Sequence, residues 1–325
     1  MASGSNITAT GMQTMQQVVA GTDLVEPADF NNARTNLERL LGAPQNVTLG
    51  SPAIGTIYGY GQGGAGTTAA SSGNLIRVTG AGGFRDLQDD VQALCAYLGV
   101  TVRAGVGTDV GTGTTITAQT WNNLMLNIRD CWNGRFLPTS RTLSTQTSAT
   151  RTANWNVSLT QTTTWTFANA SQCRQYFNMG GGVGVSASRT GGTTDNKNTS
   201  WSNKLNAFGD LIINANDTSD GAGTRASFGF YQLGTSFQQM AQFFGGANPY
   251  TDDRIVVNAR VDSTTAPTQV IIQTLLFDDG YTGEVIDEPV TGTLTINARR
   301  HQPNANGSGF TIPAPSVAAG AISGS

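Results

Sequence analysis

Histidine occurs once and cysteine three times, and charged residues make up only 12% of the 325-residue chain, about half their share in an ordinary soluble domain. The lone His301 removes the usual acid and base of neutral-pH catalysis, and no Gly-x-Ser-x-Gly frames a nucleophile. Hydrolytic triads are therefore not expected, and the chain reads as a non-enzyme. Cys95, Cys131 and Cys173 form no Cys-x-x-Cys pair and read as buried free thiols; Cys and His at zinc-ligand spacing are absent. No cofactor is expected. Lys and Arg number 18 against 21 Asp and Glu, a net charge of −3 with no basic cluster, so nucleic acid is not an expected partner. No run approaches the roughly 20 apolar residues that span a bilayer. Met1-Ala2-Ser3-Gly4-Ser5-Asn6 lacks the basic and apolar regions of a secretory signal, so assembly in a cytoplasm is expected.

What fills the chain instead is Gly (41), Thr (45) and 38% hydrophobic residues, a composition suited to short strands and many turns and long enough for two or three packed units. In the first 137 residues the apolar spacing is helical. Phe30, Ala33, Leu37, Leu40 and Leu41 follow Pro27 and stop at Gly42; Phe84, Leu87, Val91, Leu94, Cys95 and Leu98 form a second stripe; Trp121, Leu124, Met125, Ile128 and Trp132 form a third. The first and third align as aromatic-Asn-Asn-x-x-x-Asn-Leu/Ile, Phe30/Asn31/Asn32/Asn36/Leu37 against Trp121/Asn122/Asn123/Asn127/Ile128, 91 residues apart. This reads as an internal duplication, supported by Ile7-Thr8-Ala9 and Ile116-Thr117-Ala118, each expected to open a helical segment. Residues 1–137 are expected to form a helical docking platform interrupted by Gly-rich loops. Its docking residues would be Phe30, Asn31, Asn32, Trp121, Asn122 and Asn123.

After Pro138 the period becomes two. Trp155, Val157, Leu159, Trp165 and Phe167 share one parity, and similar alternation recurs at Val183-Val185-Ala187, Phe228-Phe230, Ile255-Val257-Ala259-Val261 and Leu294-Ile296-Ala298. Helices are expected around Cys173–Phe177 and over Thr199–Phe208. The fold class is therefore α+β, the helical platform followed over 138–300 by an antiparallel, sandwich-like β domain with two short helices. Residues 301–325, rich in Pro, Gly, Ala and Ser, would be disordered alone, so a neighbouring subunit is expected to hold them.

Several patterns invite chemistry. Gly59-Tyr60-Gly61-Gln62-Gly63-Gly64 matches the dinucleotide fingerprint, but no helical periodicity follows to receive a pyrophosphate. Adjacent acids at Asp252-Asp253, Asp278-Asp279 and Asp287-Glu288 read as turn residues, with Asp252, Asp253, Asp278 and Asp279 the weak candidates for a Ca²⁺ site. The five tryptophans read as core and not as sugar-stacking platforms.

The run Cys173 to Gly181, with Phe177-Asn178-Met179-Gly180-Gly181, then Ser186-Ala187-Ser188-Arg189-Thr190-Gly191-Gly192, then Asn198-Thr199-Ser200-Trp201, resembles virion structural proteins of tailed bacteriophages of the marine T4-like and cyanophage type. The resemblance includes Ile116 to Leu124, Phe277-Asp278-Asp279, and Asp287-Glu288-Pro289-Val290-Thr291-Gly292, so it covers about residues 110–300. Gly182-Val183-Gly184-Val185 departs from it, since the relatives carry a charged stretch there. The resemblance implies a tail-associated virion component, a fibre, baseplate or collar appendage, acting by assembly with other virion proteins and with itself, a homotrimer being the expected symmetry. The alternative is a host-surface glycan or receptor-binding tail protein using exposed loop residues Arg189, Thr193, Asp195, Asn196 and Lys197; a capsule-degrading enzyme is the remote one.

Overall fold

The computed structural model describes residues 5–9, 11–21, 25–42, 45–47, 56–63, 83–111, 113–245, 250–279 and 288–324. Three helices dominate the first part, α1 (Pro27–Leu41), α2 (Phe84–Leu98) and α3 (Ala118–Gly134). Each forms where the apolar stripe predicts it. Pro27 supplies the preset φ of a first turn. Gly99 ends α2 at φ +65°, a left-handed cap that costs glycine little. Thr117 caps α3 by accepting a hydrogen bond from Thr120 N at 3.1 Å. Phe30, Leu37, Leu87, Val91, Leu94, Trp121, Leu124, Ile128 and Trp132 meet in one core. Two small antiparallel ribbons accompany the helices, β1 (Asn6–Ile7) with β2 (Met15–Gln16) and β3 (Gln45–Val47) with β4 (Thr56–Tyr58).

Beyond Pro138 the chain runs β5 (Arg141–Arg151), β6 (Ser158–Thr166), α4 (Ala170–Asn178), β7 (Gly182–Thr190), α5 (Asn196–Phe208), β8 (Leu211–Ile213), β9 (Thr218–Asp220), β10 (Thr224–Arg225), β11 (Gln238–Phe244), β12 (Arg254–Val261), β13 (Gln269–Phe277), β14 (Thr293–Pro303), β15 (Ser316–Ala319) and β16 (Ser323–Gly324). A seven-stranded sheet has the order β10-β11-β12-β13-β6-β15, with β16 also on β6; a five-stranded sheet has the order β5-β14-β7-β8-β9. Every strand pairing among the described residues is antiparallel, as the α+β reading expects. Alternation sorts each strand's faces. Leu159, Gln161, Thr163 and Trp165 of β6 are buried while Ser158, Thr160, Thr162, Thr164 and Thr166 are half-buried. Inward residues of both sheets, among them Trp165, Ile272, Val257, Val185 and Ile296, belong to a second core together with Trp201 and Phe208 of α5.

A Cβ on Gly184 would lie 1.8 Å from the Leu211 carbonyl oxygen, and residues 182–185 are all buried. Backbone approach to β8 leaves no room there for a charged stretch.

Four sequence expectations are corrected. Ile7-Thr8-Ala9 opens no helix: Ile7 lies in β1, and only Thr117 of the second copy is a cap, so the Ile-Thr-Ala match has no structural counterpart. Phe230 begins a single 3₁₀ turn, Phe230–Gln232, stacked on Phe177 at 4.0 Å between ring centres, and no strand forms at Phe228-Phe230. Val157 precedes β6 and is 54% exposed, because β6 starts at Ser158. The fourth concerns the tail, which is seated on its own chain. β15 and β16 both pair with β6, Ile322 is buried, Phe310 packs against Tyr97 at 5.3 Å, and Gln62 accepts from Thr311 N at 2.7 Å and donates to Thr311 O at 2.8 Å. The anchoring expected of a neighbouring subunit comes from within, and the tail gives no argument for a partner.

The two cores are stitched together by polar ties. Asn178 Nδ2 donates to Gly59 O at 3.0 Å while its Oδ1 accepts from Tyr231 OH at 2.5 Å. Tyr97 OH donates to Met179 O at 2.5 Å, and Met179 packs with the helical core.

Candidate functional site

The duplicated asparagines turn out to be clasps. On α1, Asn36 Oδ1 accepts from Gln13 N at 2.8 Å and its Nδ2 donates to Gln13 O at 2.9 Å, while Asn32 Nδ2 donates to Thr14 O at 2.8 Å. On α3, Asn127 Oδ1 accepts from Arg103 N at 3.0 Å and its Nδ2 donates to Thr101 O at 2.9 Å, while Asn123 Nδ2 donates to Ala104 O at 2.9 Å. Asn122 holds Val18 in the same two-point way, at 2.8 and 2.9 Å. A primary amide offers the donor and acceptor of a peptide group, so it completes backbone stretches that lie outside any ladder. The repeat seen in the sequence is thus one device used twice, a helix gripping the irregular segment upstream of it. Phe30 and Trp121 are each 1% exposed in this core, and Asn31 is half-buried. The aromatic residues expected to anchor docking pack in the core of their own chain.

The residues nominated as a recognition loop form a second network. Arg189, at the end of β7, donates through Nε to Thr291 O at 2.5 Å, through Nη1 to Asn198 O and Ser202 Oγ at 3.1 and 2.8 Å, and through Nη2 to Thr193 O at 3.2 Å and to Asn198 Oδ1. Asn198 is fully buried; its Oδ1 also accepts from Thr291 N at 2.8 Å, and its Nδ2 reaches both Asp195 oxygens at 2.9 and 2.7 Å. Asp195 caps α5 by accepting from Asn198 N at 2.8 Å, and Thr193 Oγ1 donates to its Oδ2 at 2.5 Å. Burial alone would raise the Asp195 pKa, but the bonds from Thr193 and Asn198 outweigh it and hold the carboxyl at about 2. Thr193 and Asn196 are exposed, whereas Lys197, expected in the loop, lies in the first turn of α5 and is 1% exposed. Helix α5 begins at Asn196 and not at Thr199, because Asp195 supplies the cap that the apolar stripe does not reveal.

The acidic pairs separate into inner and outer members. Asp252 and Asp279 are exposed, while Asp253 and Asp278 are buried against two lysines of α5. Lys197 Nζ lies 2.8 Å from Asp278 Oδ2, and Lys204 Nζ lies 3.4 Å from Asp253 Oδ2 and donates to Asp253 O at 2.9 Å. The four side chains have relative exposures of 1%, 0%, 0% and 0%. Trp201 lies between the lysines on the helix. Its Nε1 donates to Asp278 Oδ1 at 3.4 Å, its ring carries Lys204 Nζ at 4.4 Å from the centre, and Trp155 packs against it at 4.7 Å. Desolvation first, and then the charge of Asp253, push the Asp278 carboxyl up to about 7; burial lowers Lys204 against the pull of Asp253. Lysines occupy the oxygens a Ca²⁺ ion would need. Among the described residues no group of three His, Cys, Asp or Glu converges to hold a metal. Sequence reasoning placed Lys197 in an exposed loop and passed over Lys204, although a signal existed: both fall on the stripe of Trp201, Leu205 and Phe208, where a lysine must find a buried anion.

The remaining candidates are structural. Tyr60 N donates to Leu40 O at 2.7 Å and Gln62 N to Leu41 O at 2.8 Å, so amides of the Gly-rich loop finish the end of α1 instead of facing a phosphate; Gly64 and Asp287 lie outside the described residues. All five tryptophans are buried, the most exposed at 4%, which withdraws them from sugar stacking. Cys95 and Cys131 face each other at 3.6 Å between α2 and α3 as buried thiols. An open cavity of about 400 Å³ lies where residues 18–21 and Val25 pass Ile116, Thr117, Ala118 and Trp121. No described helix is long and apolar enough to cross a membrane. Comparison with family models, curated proteins and solved structures finds no match.

Proposed function

We propose that this chain is a structural component of a bacteriophage virion, tail-associated, that acts by assembly and without catalysis. One observation carries the reading. The separate stretches that resemble virion proteins supply Arg189, Asn198, Trp201, Asp278 and Thr291, and these five residues join in the two adjoining networks around α5. Motifs spread over about a hundred positions thus support one folded framework, so what is shared is a structural unit. The use made of the polar side chains agrees with it: asparagines, lysines and aspartates that could serve chemistry are spent fastening the chain to itself. In this reading the two sheets stack as a sandwich, the helical part is the platform met by other virion proteins, and copies associate as a closed trimer.

The test is fractionation. Tailed particles banded from a lysate of infected host should carry the chain, and an antibody against it should label the tail or neck. A chain left wholly among unassembled proteins refutes the proposal.

A further inference from the structure

We infer that Lys197 and Asp278 are the two halves of an intramolecular isopeptide bond, a covalent cross-link between α5 and the end of β13. Three features of the site point there. Nζ of Lys197 stands 2.8 Å from Oδ2 of Asp278, within reach of the carboxyl group, yet this oxygen has no aligned hydrogen bond among the described residues. The pair is sealed, with side-chain exposures of 1% and 0%, behind the Trp155–Trp201 pair. A second carboxyl, Asp253, lies beside the first and is itself held through Asp279 N at 3.1 Å and Lys204.

The physical problem of the site is the cost of keeping two lysines and two aspartates dry. A buried ion pair returns little net stability for the hydration it gives up. Condensation removes one pair of charges altogether. Its balance is simple: the ammonium and carboxylate become a secondary amide and one water. The nitrogen keeps one proton, a Cγ–N bond forms, one Cγ–O bond breaks, and that oxygen leaves with the other two protons. Nothing is oxidised or reduced. A desolvated amine is the better nucleophile and a protonated carboxyl the better acceptor. Burial pushes the Asp278 carboxyl toward its neutral form, which is the right direction for an acceptor. Asp253 is placed to take the proton from the attacking nitrogen and return it to the departing oxygen. Lys204, engaged with the Asp253 and Tyr250 carbonyls and the Trp201 ring, serves as the positioning cation for Asp253.

The link would join the two sheets. α5 sits between β7 and β8 of the five-stranded sheet, and Asp278 follows β13 of the seven-stranded one.

The experiment is mass spectrometry of the purified full-length chain, denatured, then digested with trypsin. The expected intact mass is one water below the sequence mass, with Lys197 uncut and the peptide of residues 190–204 joined to that of residues 261–299. Lys197→Arg should restore the full mass. A wild-type chain at full mass overturns the proposal. So does a mass one water low in which trypsin still cuts at Lys197, since ring closure at Asp279-Gly280 loses the same water, and so does a link that maps to Lys204. Each overturning result is read on the unfolded wild-type chain, so the outcome does not depend on the variant folding.

Discussion

Replacing Asn198 by Ala isolates the network that ties α5 to β7 and to the segment entering β14. The lost side chain accepts from Arg189 and from Thr291 N and donates to Asp195. Two of these are bonds to charged groups, about 1.5–3 kcal/mol each, and the third is a neutral bond of about 1 kcal/mol. Their sum is an upper bound, because Arg189 and Asp195 are half-buried and regain water when released, and because bonds in one network do not add. The expected loss is about 3 kcal/mol, read as a lower urea midpoint at unchanged slope. A loss below about 1 kcal/mol would refute the argument that this buried amide organises the loop. Asn198→Asp sharpens the test: it turns a carboxylate oxygen toward Asp195, so this variant should be less stable than the alanine variant near neutral pH. As the pH falls and one of the two carboxyls gains a proton, it should recover relative to the alanine variant.

Four further outcomes follow from the same structure. Asn36→Ala and Asn127→Ala should cost similar amounts, about 2 kcal/mol each, since each strips an N–H and a C=O of their partner; a tenfold disparity in their unfolding constants would undo the idea of one device used twice. Phe30→Ala and Trp121→Ala should each cost about 3–5 kcal/mol in thermal or chemical unfolding as core truncations, whereas rings that served only for docking would leave stability unchanged. The folded Asp195 pKa of about 2 is below the unfolded value of about 3.9. This carboxylate therefore adds stability above about pH 4 that disappears as the pH falls through about 2. Asp195→Asn should flatten that acid limb in a pH series of melts, by a modest amount because solvent screens the site. Removing residues 316–325 should lower stability and promote aggregation by uncovering β6, while the number of chains per particle by light scattering in dilute solution stays that of the full chain; a drop in that number would return the tail to an interface role.

The helices were readable because an apolar face at period 3.6 is a local property: Phe30 to Leu41 and Trp121 to Trp132 announce themselves. The asparagine repeat was equally visible, but its meaning was not, since an amide on a helix surface can face solvent, a partner or its own chain, and only the path of residues 13–18 and 101–104 decides. β5 escaped notice for a different reason. Arg141–Arg151 is mostly Ser and Thr, with no hydrophobic contrast between faces, and is held by its long register with β14. The tail is similar, since Val317 and Ile322 gain their places from an edge built 150 residues earlier. The lysine–aspartate cluster joins positions 197 with 278 and 204 with 253, separations no window of sequence spans, and its trace was a pair of lysines on an apolar stripe.

The seating of the last strands on β6 sets an order on biosynthesis. β6 leaves the ribosome about 150 residues ahead of residues 316–324, which cover its edge. At about 5–20 residues per second, that edge waits on the order of ten seconds in the open. Its own defence in that interval is composition: Ser158, Thr160, Thr162, Thr164 and Thr166 keep the waiting strand hydrated on one side. Emergence of β15 and β16, more than any helix formed earlier, is then the event that closes the sheet.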